Sequence, residues 1–138
     1  MKAILATNNL GFIGKGNGML WRSREDFKHF KSLTTKLING KIPLLIVGYN
    51  TSLELPDLKN REIVIDGRGD FYHYRHLQNE IDWCIGGKKT YEKYCKFFTE
   101  LHISHINNNQ IGNVTFPDLS NLNPNCKIYN YFFEAEPQ

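Results

Sequence analysis

The stretch Ile42-Pro43-Leu44-Leu45-Ile46-Val47 (IPLLIV) decides the fold class of this chain. It is an almost unbroken run of aliphatic residues, and a similar run returns at Glu62 to Ile65 (EIVI). A strand that is covered on both faces is apolar along its whole length, whereas a strand with one face in water alternates. The two runs therefore predict inner strands of a largely parallel sheet with helices on both faces.

Working outward, the remaining apolar segments complete an alternation of strands and helices. Further strands are predicted at Lys2–Thr7 (KAILAT), Ile81–Ile85 (IDWCI), Leu101–Ile106 (LHISHI) and Cys126–Phe133 (CKIYNYFF). Helices are predicted where apolar residues recur at helical spacing, at Phe27, Phe30, Leu33, Leu37 and Ile38, and again in KKTYEKYCKFF from Lys88. We therefore predict a single α/β domain over residues 1–138, with a central, mostly parallel twisted sheet, flanking helices and an antiparallel C-terminal strand.

Composition and charge narrow the classes of function. The chain has 138 residues, 41% of them hydrophobic, and a net charge of +3 that is spread along the sequence. This mild excess suits small anionic ligands better than nucleic acid, so we expect no nucleic-acid partner. Three cysteines without a Cys-x-x-Cys pair indicate a reducing compartment. With no apolar run of membrane-spanning length and no signal-peptide pattern, we expect a cytoplasmic protein without a membrane partner.

Two pairs of histidines have a spacing that could suggest metal ligands. His102 and His105 are three apart on a predicted strand, so their side chains point to opposite faces and cannot share a metal. His73 and His76 could share one on a helix, but no Cys or acidic partner is evident nearby. We therefore expect no metal site.

Asp26 is the residue whose position most needs a chemical explanation. It lies between Trp21 and Phe27, on what reads as the apolar side of a helix start. Burying an ionised carboxylate without a partner costs several kcal/mol, or forces the group to become neutral. Ser23 stands three residues earlier, so a capping box is one explanation, and a bound ligand is the other. The spacing itself leaves both roles open.

Glycines and hydroxyl groups follow two of the predicted strands. Gly86-Gly87-Lys88-Lys89 comes directly before a helix, and Val47–Ser52 (VGYNTS) places a glycine and hydroxyls at another strand end. In an open α/β sheet the ligand cleft lies at the carboxyl ends of the strands, and free helix N–H groups attract anions there. The alternative for each segment is an ordinary turn, with the lysines in solvent in the first case.

The order of these segments resembles the dihydrofolate reductase family. The segments that carry the resemblance are IGKGNGMLWRSREDFKHFKSLT from Ile13, VGYNTSLELP from Val47, REIVI from Arg61, CIGGKKTYEKY from Cys84, LHISHI from Leu101 and GNVTFPD from Gly112. They occur in the family's order and at close to its spacing, from about Ala3 to the C-terminal strand. Single pieces such as Gly-Gly are weak evidence, but the Trp, Asp and Phe series followed by Gly-Gly-x-x-x-Tyr is specific.

The resemblance implies an enzyme of one-carbon metabolism that reduces 7,8-dihydrofolate to 5,6,7,8-tetrahydrofolate by hydride transfer from NADPH. Its catalytic residues would be Asp26, which would pair with the amino group and ring N–H of the pterin, and Trp21, which would order a nearby water. Arg61 would take the carboxylate of the folate tail. The implied substrate-binding residues are Ile4, Leu5, Ala6, Phe27, Phe30, Arg61, Ile85, Tyr91 and Ser104.

The resemblance also assigns residues to NADPH. Arg68 and Lys89 would meet the 2′-phosphate, and the glycine-bearing loop from Gly14 to Trp21 would close over the nicotinamide. The implied cofactor-binding residues are Ala6, Ile13, Gly14, Asn17, Gly18, Met19, Gly48, Tyr49, Asn50, Thr51, Arg68, Gly86, Gly87, Lys88, Lys89 and Thr90.

Departures from the family pattern keep two other interpretations open. Tyr49 stands where the family usually has a basic residue, Lys88 replaces a third glycine, and the family's last strand is not found after the strand at Cys126. We expect a monomer whose exposed sheet edge offers a route to self-association. The alternatives are a catalytically weakened, reductase-like binding or structural protein, and a pyrimidine reductase of the riboflavin type. The trio of Trp21, Asp26 and Phe30 favours dihydrofolate reduction over both.

Overall fold

The computed structural model describes residues 1–14, 19–66 and 81–137. Its strands are β1 (Lys2–Asn8), β2 (Phe12–Gly14), β3 (Leu44–Gly48), β4 (Glu62–Asp66), β5 (Trp83–Cys84), β6 (Glu100–Asn107), β7 (Val114–Thr115) and β8 (Lys127–Glu134). Its helices are α1 (Arg24–Thr34), α2 (Tyr49–Ser52) and α3 (Lys88–Tyr94), and α3 runs into a 3-10 turn at Cys95–Phe97. Each predicted strand is present, with ends displaced by a few residues at most.

The main sheet has six strands in the order β4-β3-β5-β1-β6-β8, and every neighbouring pair is parallel. The aliphatic run at Ile42–Val47 forms β3, between β4 and β5, so its predicted inner position is confirmed. The run at Glu62–Ile65 forms β4, which is an edge strand, so its predicted inner position is wrong. It is apolar because both of its faces are covered, with Val64 in one half of the core and Ile63 and Ile65 in the other, and coverage of the faces does not decide whether both edges are paired. A separate two-stranded antiparallel sheet joins β2 and β7. The predicted α/β architecture with a mostly parallel sheet is therefore confirmed.

The predicted direction of the C-terminal strand is wrong. β8 pairs with β6 in parallel, with Glu100 opposite Lys127 and Asn107 opposite Glu134. After β6, residues 108–126 cross from its carboxyl end back to its amino end, where Lys127 N donates to Thr99 O at 3.0 Å. A crossover of a dozen or more residues returns a strand in parallel, whereas a short hairpin returns it antiparallel. The length of this connection therefore decided the direction.

Helices cover both faces of the sheet and divide the core in two. One half joins Ile4, Leu45 and Trp83 of the sheet to Phe30 and Leu33 of α1. The other half packs alternate strand residues, including Ala3, Ile46 and Cys84, against Tyr91 and Tyr94 of α3. The two-sided coverage explains why the inner strands are apolar along their whole length.

Helix α1 ends earlier than its apolar periodicity predicts. The periodicity runs to Leu37 and Ile38, but the helix ends at Thr34 and Leu37 is exposed. Asn39 and Gly40 have positive φ values of 52° and 77°, and Ile38 and Lys41 bond to each other across this turn. An Asn-Gly pair at positive φ favours a tight reversal over a helix. The turn therefore removes Ile38 from the helix.

The two histidines of β6 lie on opposite faces of the sheet, as their spacing predicts. His102 contacts Tyr131, whereas His105 contacts Asn130, the neighbouring residue on β8. His73 and His76 lie outside the described residues. Within the described ranges, His, Cys, Asp and Glu side chains form no cluster of three that could bind a metal. None of the helices in those ranges has the length and apolar character needed to cross a membrane.

Candidate active site

A cavity of about 360 Å³ opens where β1, β3 and β5 end, between the sheet and α1. Strand β1 contributes Ile4 to Ala6, and α1 contributes Asp26, Phe27 and Phe30. The segment after β5 contributes Ile85 to Lys88, and α2 contributes Asn50 and Thr51. The location agrees with the expectation that an open α/β sheet binds its ligand at the carboxyl ends of its strands.

Asp26 lies both in the capped first turn of α1 and on the wall of the cavity. Its backbone N–H donates to Ser23 Oγ at 3.2 Å, which caps the first turn of α1, while its side chain borders the cavity. Burial raises the pKa of Asp26, and the Ser104 hydroxyl and the nearby His29 oppose this shift. Ser104 Oγ is buried and has no hydrogen bond of normal geometry within the described ranges. The arrangement places an acid beside a spare hydroxyl on an otherwise apolar wall.

Tyr91 fixes the backbone of β1 at the cavity. Its hydroxyl donates to Ile4 O at 2.6 Å, and burial raises its pKa well above the usual value, so the hydroxyl stays neutral. Gly86 lies against the same ring with φ of +114°, and a Cβ there would stand 3.2 Å from Tyr91. Only glycine combines that backbone conformation with so close an approach.

Glycines also bring the ends of β3 and β5 together. Gly48 N donates to Gly86 O at 2.7 Å, and the Gly86–Gly87 peptide bond is cis. A Cβ on Gly48 would lie 2.7 Å from Thr90 Oγ1, and one on Gly87 would lie 2.7 Å from Thr51 Oγ1. The two threonine hydroxyls therefore approach the backbone where side chains would otherwise intervene.

The two lysines at the start of α3 point to different places. Lys88 borders the cavity and its Nζ donates to Thr115 Oγ1 of β7 at 2.6 Å. Lys89 is exposed and lies outside the cavity lining. The prediction of solvent-facing lysines at an ordinary turn therefore fits Lys89, whereas Lys88 spans one side of the cavity.

Arg61 lies behind the aromatic wall of the cavity. It donates from Nη1 to Thr34 Oγ1 at 3.1 Å, and its guanidinium carbon stands 5.8 Å from the centre of the Phe30 ring. Burial lowers the pKa of Arg61 from its usual high value, a direction that leaves it cationic at neutral pH. Phe30 thus separates this cation from the cavity.

Most residues that the resemblance implied as site residues line this one cavity. They are Ile4, Leu5, Ala6, Ile13, Gly14, Met19, Asp26, Phe27, Phe30, Asn50, Thr51, Ile85, Gly86, Gly87, Lys88 and Tyr91. The structure places others outside the lining, namely Trp21, Gly48, Tyr49, Arg61, Lys89, Thr90 and Ser104. Asn17, Gly18 and Arg68 lie outside the described residues.

Trp21 packs beside the site rather than in the cavity lining. It is buried with Leu20 and Ile106, two residues along β6 from Ser104. Its indole Nε1 is buried and has no hydrogen-bond partner within the described ranges. An indole N–H in this setting is a donor available to a polar group or water near Ser104.

Sequence reasoning missed five residues of the cavity lining, which are Glu54, Leu55, Pro56, Leu58 and Val114. Four of them belong to the segment that follows α2, where leucines recur between polar residues. That recurrence could have indicated a place in the cavity lining, because leucines in a loop beside a strand end are expected to pack against other apolar groups. Val114 belongs to β7, whose two residues are too few for a strand pattern.

Comparison with known proteins gives two matches. The family model described as dihydrofolate reductase matches residues 1–128. The chain is also similar to a protein named dihydrofolate reductase from Buchnera aphidicola subsp. Schizaphis graminum (strain Sg), with 26% identity over 148 aligned positions, which cover 94% of this chain and 83% of that protein.

Proposed function

The chain belongs to the dihydrofolate reductase family, and from this premise we propose that it reduces 7,8-dihydrofolate to 5,6,7,8-tetrahydrofolate with NADPH as the reductant. The observation that carries the proposal is the Asp26 carboxyl on the wall of a largely apolar cavity. We further propose that the enzyme is a cytoplasmic monomer that supplies one-carbon metabolism. It would be an oxidoreductase with a small-molecule substrate.

Asp26 would bind the polar edge of the pterin. An ionised carboxylate accepts two parallel hydrogen bonds, which matches an amino group beside a ring N–H. Phe27 and Phe30 border the cavity next to it and offer apolar faces to a flat heterocycle. The carboxylate would hold and polarise the ring, while solvent delivers the proton to the ring nitrogen. Ser104, beside the acid, would keep the carboxylate oriented.

The opposite side of the cavity fits an anionic dinucleotide. Asn50 and Thr51 border it from α2, and Lys88 brings a cation to it from α3. Gly87 lets the Thr51 hydroxyl pack close to the backbone on this side of the cavity, because a Cβ there would stand 2.7 Å from Thr51 Oγ1. Bound NADPH would supply the hydride, and this donor set would hold its diphosphate. Gly48 and Thr90 pack closely behind this side of the cavity, because Gly48 has no Cβ to keep the Thr90 hydroxyl away.

Parts of the proposed cofactor site involve residues that lie outside the cavity lining or outside the described residues. Lys89 is exposed and would meet the 2′-phosphate together with Arg68, which lies outside the described residues. Tyr49 supplies no cation in α2. Gly14 and Met19 border the cavity on either side of residues 15–18, which also lie outside the described ranges, so closure of this loop over the nicotinamide stays a prediction.

Arg61 would bind the tail of the substrate rather than its pterin. Its guanidinium donates to Thr34, two helical turns along α1 from Asp26, and lies over the Phe30 ring. A guanidinium fork suits a carboxylate. We propose that the folate tail carboxylate reaches Arg61 past Phe30.

The decisive experiment is an assay of purified protein for loss of NADPH absorbance on adding dihydrofolate. We expect steady turnover, and we expect Asp26→Asn to reduce kcat by about a hundredfold or more, because the amide keeps the size but loses the charge. The affinity for NADPH should hardly change. Glu25→Gln, which neutralises an exposed acid on the same turn, is the matched control and should retain full turnover.

The same assay separates the alternatives. A riboflavin-type reductase would oxidise NADPH with a ribosylaminopyrimidine substrate and ignore dihydrofolate. A weakened binding protein would bind dihydrofolate without turnover. Either result, or an Asp26→Asn variant as active as the unmodified protein, would contradict the proposed function.

A further inference from the structure

His29 lies one helical turn after Asp26 on α1, on the same side of the helix. Its ring centre stands 4.0 Å from that of Tyr131 and 5.3 Å from that of Phe133, both on β8. Its Nε2 atom is buried and has no hydrogen-bond partner in the part of the chain that the structure describes. Burying a polar nitrogen without a hydrogen bond costs free energy, so the position of the His29 ring requires an explanation.

Strands β6 and β8 hold the rings around His29 through a chain of hydrogen bonds. Tyr131 Oη and His102 Nδ1 are 2.9 Å apart, and His102 Nε2 lies 2.9 Å from Glu100 Oε1. Since a carboxylate only accepts, His102 donates from Nε2 to Glu100, and in the neutral ring Nδ1 accepts from the Tyr131 hydroxyl. His102 also stacks on Tyr129, with ring centres 4.7 Å apart. Tyr131 is therefore fixed at both its hydroxyl and its ring.

The charged and titratable groups that face His29 come from three elements. Asp26 faces it from α1, His102 from β6 and Tyr131 from β8, while Glu100 reaches this group only through His102. Burial lowers the pKa of His29, Asp26 opposes that shift and His102 reinforces it. In return, His29 acts on the carboxyl of Asp26 in the direction that favours its ionised form. The acid and the imidazole therefore each favour the charged form of the other.

We propose that His29 is a positioning residue that stabilises the ionised form of the Asp26 carboxyl, with its imidazole held against that acid by the rings of β8. The tilted contacts of its ring with Tyr131 and Phe133 explain why the imidazole is kept in place although Nε2 has no hydrogen-bond partner in the described ranges. The consequence for catalysis rests on the proposed function, in which the ionised acid binds the substrate. The electrostatic part concerns only the ligand-free chain.

The test is a titration of the Asp26 side-chain carboxyl by carbon-detected NMR in ligand-free protein, with the signal assigned from its loss in Asp26→Asn. His29→Phe keeps an aromatic ring against Tyr131 but removes the titrating group. We expect the Asp26 midpoint to move to higher pH by about half a unit, the effect of one charge about a helical turn away in a partly solvated site. Lys28→Gln, which removes an exposed cation two residues from Asp26, should leave the midpoint unchanged.

A second variant and a kinetic measurement keep the test informative if the first variant misfolds. His29→Gln keeps a polar side chain without a charge and should shift the midpoint in the same direction. If the proposed function holds, the pH profile of kcat/KM for dihydrofolate should shift with it in both variants. Unchanged midpoints in both folded variants, or an equal shift in Lys28→Gln, would overturn the inference. Because the NMR titration needs no substrate, an inactive enzyme would refute the proposed function without affecting this result.

Discussion

At the residue scale, the Asp26 carboxyl experiences two opposing effects. As an acid in the first turn of α1, it interacts favourably with the positive end of the helix dipole. As a side chain at the cavity wall, it loses solvation, and this burial raises its pKa above the usual value. The raised pKa means that loss of solvation outweighs the favourable contacts in the folded chain.

This balance predicts how stability depends on pH. A carboxyl whose pKa is raised by folding contributes stability that is fully present below the unfolded pKa and is lost as the pH rises through the folded pKa. At pH 7 the unmodified chain therefore carries the cost of a buried charge, and Asp26→Asn removes it. We expect the Asp26→Asn variant to have the higher free energy of unfolding at pH 7, with the difference shrinking as the pH falls towards 4. Urea denaturation at several pH values would measure it.

The control for this prediction is Glu25→Gln, which neutralises an exposed acid in the same turn. It should lower stability by a few tenths of a kcal/mol, because it loses only a dipole interaction. An Asp26→Asn variant that is less stable than the unmodified chain at pH 7 would mean that the favourable interaction of the carboxylate with the helix dipole outweighs its loss of solvation.

At the scale of the element, α1 owes its start to one side chain. Ser23 has extended backbone angles, and its Oγ accepts the N–H of Asp26 at 3.2 Å. This bond satisfies one of the N–H groups that have no partner at a helix start. Because α1 carries Asp26, His29 and Phe30, the cap also fixes where the helix presents these three side chains.

We predict that Ser23→Ala lowers the free energy of unfolding by about 1 kcal/mol, the usual effect of losing an N-cap oxygen. Thermal and urea denaturation would both report it. Ser32→Ala is the matched control, because Ser32 is exposed within the same helix and alanine there is neutral or slightly stabilising. Equal stability of Ser23→Ala and the unmodified chain would show that tertiary packing, not the cap, defines the start of α1.

At the scale of the whole molecule, β8 is the edge strand at one end of the main sheet, and in the described ranges no strand pairs with its free edge. The strand exposes apolar side chains as well as backbone groups: Phe132 is 77% exposed and Ile128 is 52% exposed. An edge of this kind can pair with another chain.

We predict weak, concentration-dependent self-association of the monomer through β8, which Phe132→Lys should suppress, because a charge on an edge strand opposes pairing. Sedimentation velocity over a range of protein concentrations would measure it. Leu53→Lys introduces the same charge at another exposed apolar residue, remote from β8 in sequence and after α2, and should leave the association unchanged. Equal effects of the two substitutions would point to net charge rather than to the edge.

Much of the fold and of the candidate site could be predicted from the sequence, since both rest on local patterns. The apolar run at β3 predicted an inner parallel strand, because a strand covered on both faces must be apolar throughout. Ser23 determined the start of α1, since the cap involves residues three apart. The motif order then located the acid, the aromatic wall and the glycines, which the structure brings to one cavity.

Only the tertiary structure decided features that depend on contacts between distant segments. The crossover after β6 set the direction of β8, and a reversal at Asn39-Gly40 ended the helical periodicity. Lys88 forms a hydrogen bond with Thr115 of β7, whereas Lys89 is exposed to solvent. The ring contacts of His29 also depend on tertiary structure, because its partner Tyr131 lies on β8, far away in sequence. Local patterns set which conformation a segment prefers, but the partner of a side chain depends on which segments the folded chain brings together.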